Sequence, residues 1–380
     1  MMLTYYNGER KASMMSMSIS IYAKEALERA LNGEELSFND GLELMEYEDI
    51  HTLGLVADMV RRRLKGDVVT FTCSYYINYT NVCAASCPLC AFYRKEGDDD
   101  AYTLSIEDMV KRAGEGVMMG ANELHIVGGF HPRLGLDYYE QMIKAIKSRF
   151  KGVTVKALTP AEVFFIARVT RNSVREVLSR LKDAGLDALA GGGAEIFHKE
   201  VRDKIVVGKC SGDEWLQVAE EAHRLGIRSN CTMLYGHVEK GKHIVDHLIR
   251  LREVQKRTNG FLTFIPLKFS PENTELHEKG LVREQCSSLY DLRIIAVSRL
   301  MLANAINNIS VYWLALGKKL AQVGLCYGGN DLVGTAFAEE IYKATGISNA
   351  TSIEELASMV REIGRVPAIR DTFHNVLRYL

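Results

Sequence analysis

The segment "VVTFTCSYYINYTNVCAASCPLC", residues 68–90, decides the predicted fold of this chain. Its first half is rich in β-branched and aromatic residues, which are typical of a β-strand. Its second half contains Cys83, Cys87 and Cys90, so three cysteines follow the carboxyl end of that strand. In barrels of parallel strands, the active face lies at this end. The segment therefore predicts a strand that brings three thiols to a functional site.

Further short apolar segments predict a repeated strand-and-helix pattern along the chain. They are residues 123–129, 153–159, 186–193, 227–234, 260–267, 308–314 and 321–329, with amphipathic helices predicted between them. Strands that alternate with helices indicate a parallel sheet. Eight such units in about 270 residues favour an α/β fold of the (β/α)8 TIM-barrel type, and an open doubly wound sheet is the alternative. We expect the barrel over residues 67–335, an N-terminal tail and helices over 1–66, and a C-terminal helical extension over 336–380.

The composition excludes several classes of function. The 380 residues carry 47 Lys and Arg against 48 Asp and Glu, so the basic surface that nucleic-acid binding requires is not expected. No apolar run approaches the roughly 18 residues of a membrane span, and the Met14–Met17 stretch lacks the apolar core of a signal peptide. We expect a cytoplasmic protein. Eight cysteines in a chain of this length do not indicate a disulfide framework.

The spacing of the three clustered cysteines limits the metal chemistry they can support. A structural zinc site would need a fourth ligand, and no other Cys or His lies within ten residues after Cys90. A thioredoxin-like pair of Cys87 and Cys90 leaves Cys83 unexplained. A [4Fe–4S] cluster held by three thiolates leaves one iron open to a substrate. The remaining cysteines are predicted to be core residues, so no second cluster is expected; they are Cys73, Cys210, Cys231, Cys286 and Cys326.

The C-x₃-C-x₂-C pattern after a first barrel strand resembles the signature of the radical S-adenosylmethionine (SAM) superfamily. The resemblance implies that Cys83, Cys87 and Cys90 hold a [4Fe–4S] cluster whose open iron binds the amino and carboxylate groups of SAM. It also implies reductive cleavage of SAM to a 5′-deoxyadenosyl radical. Leu89 departs from the pattern, because an aromatic residue usually precedes the last cysteine. We expect the adenine to pack on Leu89 itself or on a neighbour such as Phe92 or Tyr93.

Two further segments match expected SAM contacts. Gly128 and Gly129 end the second predicted strand and expose backbone that a ligand can approach. The resemblance implies a contact with the methionine amino group there, and an ordinary turn is the alternative. Glu195 ends "GGGAE" (191–195), where the resemblance implies hydrogen bonds to the SAM ribose; a solvated helix start is the alternative. Lys156, on the third predicted strand, is a further candidate for SAM binding.

A narrower resemblance extends over residues 35–380. The segments "ELHIVGGFHP", "GGGAEIF", "CTMLYGHVE" and "FIPLKFSPENT" resemble the aminofutalosine synthases of menaquinone biosynthesis. The dehypoxanthine futalosine cyclases and the deazaflavin-forming synthases share much of this pattern, although the latter usually have "GTAAE" in place of "GGGAE". The resemblance implies addition of the adenosyl radical to 3-[(1-carboxyvinyl)oxy]benzoate, followed by rearrangement and loss of the enolpyruvyl carboxylate as CO2 or bicarbonate, which gives 6-amino-6-deoxyfutalosine. It also implies that SAM is a co-substrate, and we expect an electron donor such as flavodoxin or ferredoxin. Ala190 and Lys268 depart from the family, which commonly has a proline and a small residue there.

A substrate with two carboxylates needs hydrogen-bond donors. His131, His237 and Lys268 lie near predicted strand ends and are candidates, as is Lys156. His131 could instead cap a turn, and His237 could bond to a backbone carbonyl. Arg370 could reach the barrel mouth or tie down the terminal segment.

One metal motif is rejected. His243 and His247 have the spacing of a metalloprotease helix, but Ile244 occupies the position of the catalytic Glu, so a surface pair is expected. A zinc-stabilised binding protein without catalysis remains the alternative of another class.

Overall fold

The computed structural model describes residues 21–347 and 350–380. The predicted N-terminal tail, with its Met14–Met17 stretch, lies outside the described residues. Three helices precede the first strand: α1 over 21–32, α2 over Phe38–Glu46 and α3 over Ile50–Lys65. Ser37 starts α2 with a capping box, in which its hydroxyl accepts from the Asp40 N–H and the Asp40 carboxylate accepts from the Ser37 N–H. The predicted N-terminal helices are thus present.

Six strands form a parallel sheet in chain order. They are β2 (Ser74–Asn78), β3 (Glu123–Val127), β4 (Thr154–Ala157), β5 (Ala188–Leu189), β6 (Arg228–Tyr235) and β7 (Phe261–Lys268). The helices between them are α4 (Ile106–Met118), α5 (Leu136–Arg149), α6 (Pro160–Thr170), α7 (Val174–Ala184), α8 (Lys199–Ile205), α9 (Gly212–Arg224) and α10 (Gly241–Thr258). These strands are almost fully buried, which explains their near-continuous apolar sequences.

The ring of strands continues beyond β7 through short bridges. Phe264 pairs with Ile309, and Ser310 pairs with Asp331 at the start of β8 (Asp331–Gly334). Strand β8 pairs in parallel with β1 (Val68–Thr72), which leads directly into β2. The strand pairing therefore runs from β2 around to β1 and closes a ring. This arrangement confirms the predicted TIM-type α/β fold.

The last two predicted strands need correction. In the segment 308–314, only two bridge residues are extended before the short helix α13 (Trp313–Leu316) begins. The segment 321–329 is not a strand, because its first five residues belong to helix α14 (Lys318–Leu325). Its glycines allow close packing: a Cβ on Gly324 would lie 2.9 Å from the Ile295 side chain. The eighth strand of the structure is β8, which begins two residues after the end of the predicted segment. Helices α11 (Glu275–Glu278) and α12 (Ser288–Leu302) complete this part of the chain.

The C-terminal segment contains more than the predicted helices. A 3₁₀ turn over Lys343–Thr345 and helix α15 (Ile353–Glu362) precede two strands, β9 (Val366–Arg370) and β10 (Val376–Tyr379). Strand β9 pairs in parallel with β1, and β10 pairs antiparallel with β9. The prediction of a purely helical extension therefore missed a strand pair on β1. Among the described residues, no helix combines the length and apolarity that crossing a bilayer requires.

Buried ion pairs connect this strand pair to the barrel interior. The Arg370 guanidinium donates to both carboxylate oxygens of Asp331, at 2.5 and 3.0 Å. Burial opposes ionisation of Asp331, but Arg370 outweighs it and holds the pKa of that carboxyl below its usual range. Beside this pair, Glu123 accepts from Lys156 at 2.5 Å and from Thr372 at 2.7 Å. Arg370 therefore ties down the terminal segment and does not reach the barrel mouth.

We expect Arg370→Met to lower the free energy of unfolding by about 3–5 kcal/mol, because it leaves the Asp331 carboxylate buried without its partner. Urea unfolding measures this change. Lys318→Met is the matched control, since it breaks the partly exposed pair with Glu355 and should cost about 0–1 kcal/mol. Equal costs for the two variants would contradict the anchoring role of Arg370.

Candidate active site

A cavity lies at the carboxyl ends of the barrel strands, and residues from every part of the barrel surround it. The three clustered cysteines and the two glycines after β3 lie on one side. Tyr76, Tyr312 and Tyr342 form an aromatic wall, in which the rings of Tyr312 and Tyr342 are 5.3 Å apart. This location is where parallel barrels place their active sites.

The cysteine loop is held by backbone contacts from two directions. The Phe130 N–H donates to the Cys83 sulfur at 3.2 Å, and the Val207 N–H donates to the Cys87 sulfur at 3.5 Å. The Cys90 N–H donates to the carbonyl of Cys87 at 3.0 Å and closes a turn between these two residues. Burial raises the pKa of the Cys83 and Cys90 thiols, while the nearby Lys209 ammonium acts in the opposite direction.

These features fit a cluster held by three thiolates. Backbone N–H groups directed at the sulfurs and a nearby cation both stabilise anionic sulfur, and hydrogen bonds to sulfur also set cluster potentials. When bound, the cluster supplies the electron that cleaves SAM.

A single zinc ion fits the cysteines less well. A metal ion needs several ligand atoms close to one another. Within residues 21–347 and 350–380, three side chains have their ligand atoms within 4.8 Å of one another: His198, Glu200 and His243. The cysteine sulfurs are not such a group, whereas ligands of one zinc ion, with bonds of about 2.3 Å, would be. His243 itself is a poor ligand, because its Nδ1 accepts from the Lys240 N–H at 3.0 Å and its Nε2 therefore carries the proton.

The predicted surface pair of His243 and His247 is wrong, since both side chains are buried. His247 accepts from the Phe197 N–H through Nδ1 and contacts the Thr232 carbonyl through Nε2. Burial lowers the pKa of His247 to about 3, so it is a neutral core residue.

Gly128 and Gly129 lie where their backbone packs on the start of the cysteine loop. A Cβ on Gly129 would be 2.3 Å from the Val82 carbonyl oxygen, and one on Gly128 would be 2.9 Å from the Thr80 oxygen. The Gly128 N–H donates to the Glu162 carboxyl group at 3.1 Å, and the Gly129 N–H donates to the Thr80 carbonyl at 2.9 Å. A ligand amino group donates hydrogen bonds, so at this position it would need carbonyl oxygens as acceptors.

Glu195 also borders the cavity and is buried. Its carboxylate accepts from the Lys209 ammonium at 2.8 Å. Burial alone would raise the pKa of Glu195, but Lys209, Arg202 and His237 lower it overall, so the group is an anion. Its φ of 47° is unusual for a residue with a side chain, and such strain is common at functional sites.

The other predicted site residues separate into two groups. Lys268 borders the cavity, but its ammonium donates to Asp291 at 2.7 Å. Lys156 does not border the cavity, because it pairs with Glu123 in the barrel interior. The candidate role of Lys156 in SAM binding is therefore corrected to a structural one.

His131 and His237 also lie outside the cavity lining. The Nδ1 of His131 accepts from the Arg133 N–H at 3.2 Å and so caps a turn. His237 contacts the Leu234 carbonyl through Nε2 at 3.1 Å and has Glu239 3.0 Å from its Nδ1. Both imidazoles are used within their own loops, so the structure does not support them as substrate ligands.

Sequence reasoning missed several polar residues of the cavity: Glu162, Lys209, His125, Ser270 and Glu339. The Thr159–Glu162 capping box was visible as a pattern, but the bonds that Glu162 accepts from the Gly128 N–H and the Tyr79 hydroxyl were not. His125 Nδ1 and Ser270 Oγ are buried and lack hydrogen-bond partners within the protein. Such orphan groups need a partner from water or a ligand. Leu89 and Phe92 also border the cavity, but Tyr93 does not.

Comparison with known proteins agrees with this geometry. Residues 77–251 match the radical SAM superfamily, and residues 258–379 match the CofH/MqnC C-terminal region. The chain belongs to the radical SAM superfamily, whose members use a [4Fe–4S] cluster and SAM, as predicted.

Two different enzyme names occur among its relatives. The 5-amino-6-(D-ribitylamino)uracil–L-tyrosine 4-hydroxyphenyl transferase of Methanothermobacter thermautotrophicus is 40% identical over 94% of this chain and 98% of that protein. The aminodeoxyfutalosine synthase of Thermus thermophilus is 40% identical over 92% of this chain and 95% of that protein. The Streptomyces coelicolor enzyme of the same name is 39% identical over 93% of this chain and 94% of that protein. The chain is therefore a radical SAM transferase, as predicted.

Solved structures agree on the fold. The hydrogenase maturase HydG of Carboxydothermus hydrogenoformans superposes with a TM-score of 0.74 at 17% identity, over 98% of this chain and 86% of that one. Methylornithine synthase (PylB) superposes with a TM-score of 0.71 at 19% identity, over 90% of this chain and 97% of that one.

We expect Cys83→Ala, Cys87→Ala or Cys90→Ala to abolish SAM cleavage, because three thiolates are needed to hold the cluster. Iron content and methionine release after anaerobic reconstitution measure the effect. Cys210→Ser is the control and should keep its iron, since Cys210 is a buried residue outside the cavity lining. A clustered-cysteine variant with full iron and turnover would refute the assignment.

Proposed function

We propose that this enzyme is an aminofutalosine synthase. It joins the 5′-deoxyadenosyl group of SAM to 3-[(1-carboxyvinyl)oxy]benzoate, releases methionine, and loses the enolpyruvyl carboxylate as CO2 or bicarbonate to form 6-amino-6-deoxyfutalosine for menaquinone biosynthesis. A flavodoxin or ferredoxin supplies the electron. Relatives named aminodeoxyfutalosine synthase support the proposal, and equally similar tyrosine transferases define the alternative.

The loop after β5 is the observation that favours the first reaction. Gly193 has a φ of +79°, and a Cβ there would lie 2.6 Å from the Ala161 Cβ. The deazaflavin-forming enzymes usually have "GTAAE" in place of "GGGAE" (191–195), which puts alanine at position 193. An alanine could not keep this conformation without strain. The loop beside Glu195 is therefore built on a glycine that the alternative pattern lacks.

The chemistry of the cavity wall suits an aryl substrate with polar ends. The ring of Tyr76 stacks on His125 with centroids 4.3 Å apart, and both border the cavity with Tyr312 and Tyr342. Flat aromatic surfaces of this kind pack well on a benzoate ring. The residues His125 and Ser270 border the cavity and carry buried polar atoms that have no hydrogen-bond partner within the protein.

The residues near the cysteines bind and orient SAM in this proposal. Carbonyl oxygens near Gly128 and Gly129 accept from the methionine amino group, and the Glu195 carboxylate accepts from the ribose hydroxyls. Lys209 keeps Glu195 ionised and oriented through their 2.8 Å contact. The apolar residues Phe130, Ile265 and Leu267 exclude water from the space between the two substrates.

We expect Glu195→Ala to weaken SAM binding about tenfold to a hundredfold, because hydrogen bonds to a charged group contribute about 1.5–3 kcal/mol. Glu195→Gln keeps one acceptor and should lose less. Equilibrium binding to the cluster-loaded enzyme without reductant measures both, and iron content should not change. Glu200→Ala, an exposed helix-start carboxylate on α8, is the control. Parental SAM affinity in Glu195→Ala would exclude the ribose contact.

Anaerobic turnover with SAM and dithionite tests the proposed reaction. With 3-[(1-carboxyvinyl)oxy]benzoate we expect 6-amino-6-deoxyfutalosine and one methionine per product, identified by mass. A parallel reaction receives L-tyrosine and 5-amino-6-(D-ribitylamino)uracil. Product from only the second mixture would replace the proposed function with the tyrosine transferase reaction.

A further inference from the structure

Glu339 is a cavity carboxylate without an ion-pair partner among the described residues. It lies in the loop after β8, where its Oε1 accepts from the Ile341 N–H at 2.9 Å and its Oε2 from the Tyr342 N–H at 2.8 Å. These bonds fix the carboxyl group in place. Glu195, by contrast, has the Lys209 ammonium beside it.

The groups that face Glu339 do not supply a compensating charge. They are Tyr76, Tyr102, Tyr312 and Tyr342, the like-charged Glu340 and the backbone N–H of Lys343. The Lys343 ammonium is occupied by Glu340 at 3.1 Å. Burial, together with Glu340, raises the pKa of Glu339 to about 7. Near neutral pH the group is therefore present both as the acid and as the anion.

The cavity as a whole has few free cations. Lys209 and Lys268 are the ammonium groups of its described lining, and each already pairs with a carboxylate, at 2.8 and 2.7 Å. His125 is neutral, because burial lowers its pKa to about 3. A substrate with two carboxylates thus meets no unpaired positive side chain on this lining. A carboxylate can instead share a proton with a carboxylic acid, since two anions in contact would repel.

We propose that Glu339 binds one carboxylate of the substrate as a proton donor, so that substrate binding takes up one proton. The inference rests on the proposed function, which supplies the dicarboxylate. A carboxyl group has about four acceptor positions, so the backbone N–H groups of Ile341, Tyr342 and Lys343 leave Glu339 a position for the shared proton. Glu339 is then a specificity-determining residue: in its protonated form it binds a substrate carboxylate, and in its ionised form it repels one.

The pH dependence follows from linkage. Bound substrate holds the proton on Glu339, so the pKa of this group is higher in the complex than in the free enzyme. Below about pH 7 the free group is already neutral, and affinity does not depend on its titration. Above that pH each binding event takes up one proton, and the Kd rises about tenfold per pH unit until the pKa of the complex is reached.

Titration calorimetry of the cluster-loaded enzyme, with SAM and without reductant, tests the inference. The substrate 3-[(1-carboxyvinyl)oxy]benzoate is titrated at pH 6, 7 and 8 in two buffers of different ionisation heat. For the parent enzyme we expect about one proton taken up at pH 8, almost none at pH 6, and a Kd that rises several-fold to tenfold from pH 7 to 8. A Kd that is flat across this range, with no buffer-dependent heat, would overturn the proposal.

Glu339→Gln provides the non-titrating variant: its amide can donate a hydrogen bond to the substrate, but its NH2 group cannot accept one of the two backbone bonds. We expect a Kd that is independent of pH and no proton uptake; unchanged proton uptake would overturn the inference. Glu340→Gln is the control and should still take up one proton. Cluster content and the melting temperature check that each variant is folded.

Failure of the inference and failure of the proposed function have different signatures. Substrate that binds and reacts without proton uptake leaves the aminofutalosine reaction intact and excludes the role of Glu339. Both are overturned if 3-[(1-carboxyvinyl)oxy]benzoate does not bind at pH 6, while the parent enzyme binds L-tyrosine and Glu339→Gln does not. In that case the ionised carboxylate would pair with the tyrosine ammonium.

Discussion

The close approach of the Gly128–Gly129 backbone to the start of the cysteine loop is the contact on which the site depends. It brings the end of β3 to the carbonyls of Thr80 and Val82, at distances that no Cβ would allow. The next residue, Phe130, then directs its N–H at the Cys83 sulfur. One backbone contact thus positions both the glycines that border the cavity and the first of the three thiols.

A second constraint is electrostatic. The site concentrates thiols and carboxylates in a buried space, where burial disfavours every anion. Lys209 compensates for several of them at once, since it pairs with Glu195 and lies close enough to Cys87 and Cys90 for its own pKa to be raised by them. The ammonium therefore couples the cysteine side of the cavity to the strand end that holds Glu195.

The sequence was informative wherever the local pattern and the final environment agree. Buried parallel strands such as β6 and β7 have apolar runs that the sequence shows directly. Cysteines and glycines that follow predicted strands lie at the same strand ends in the structure. The pattern failed at 321–329, because a short apolar run with glycines fits a buried helix as well as a strand. Strand β8 was hidden because it begins with a charged residue, Asp331, whose burial depends on Arg370 far along the chain.

The same reasoning explains which site residues were assigned the wrong role and which were missed. Lys156 and Lys268 have similar positions near strand ends, yet one pairs with Glu123 below the cavity and the other with Asp291 beside it. Both partners are distant in sequence, so the chain contains no local signal for either pairing. Glu339 is the converse case: its importance arises from the absence of an ion-pair partner among the described residues. Both ammonium groups of the described cavity lining are paired, so a carboxyl that can hold a proton near pH 7 offers a hydrogen bond to an anionic substrate that an ionised carboxylate would repel.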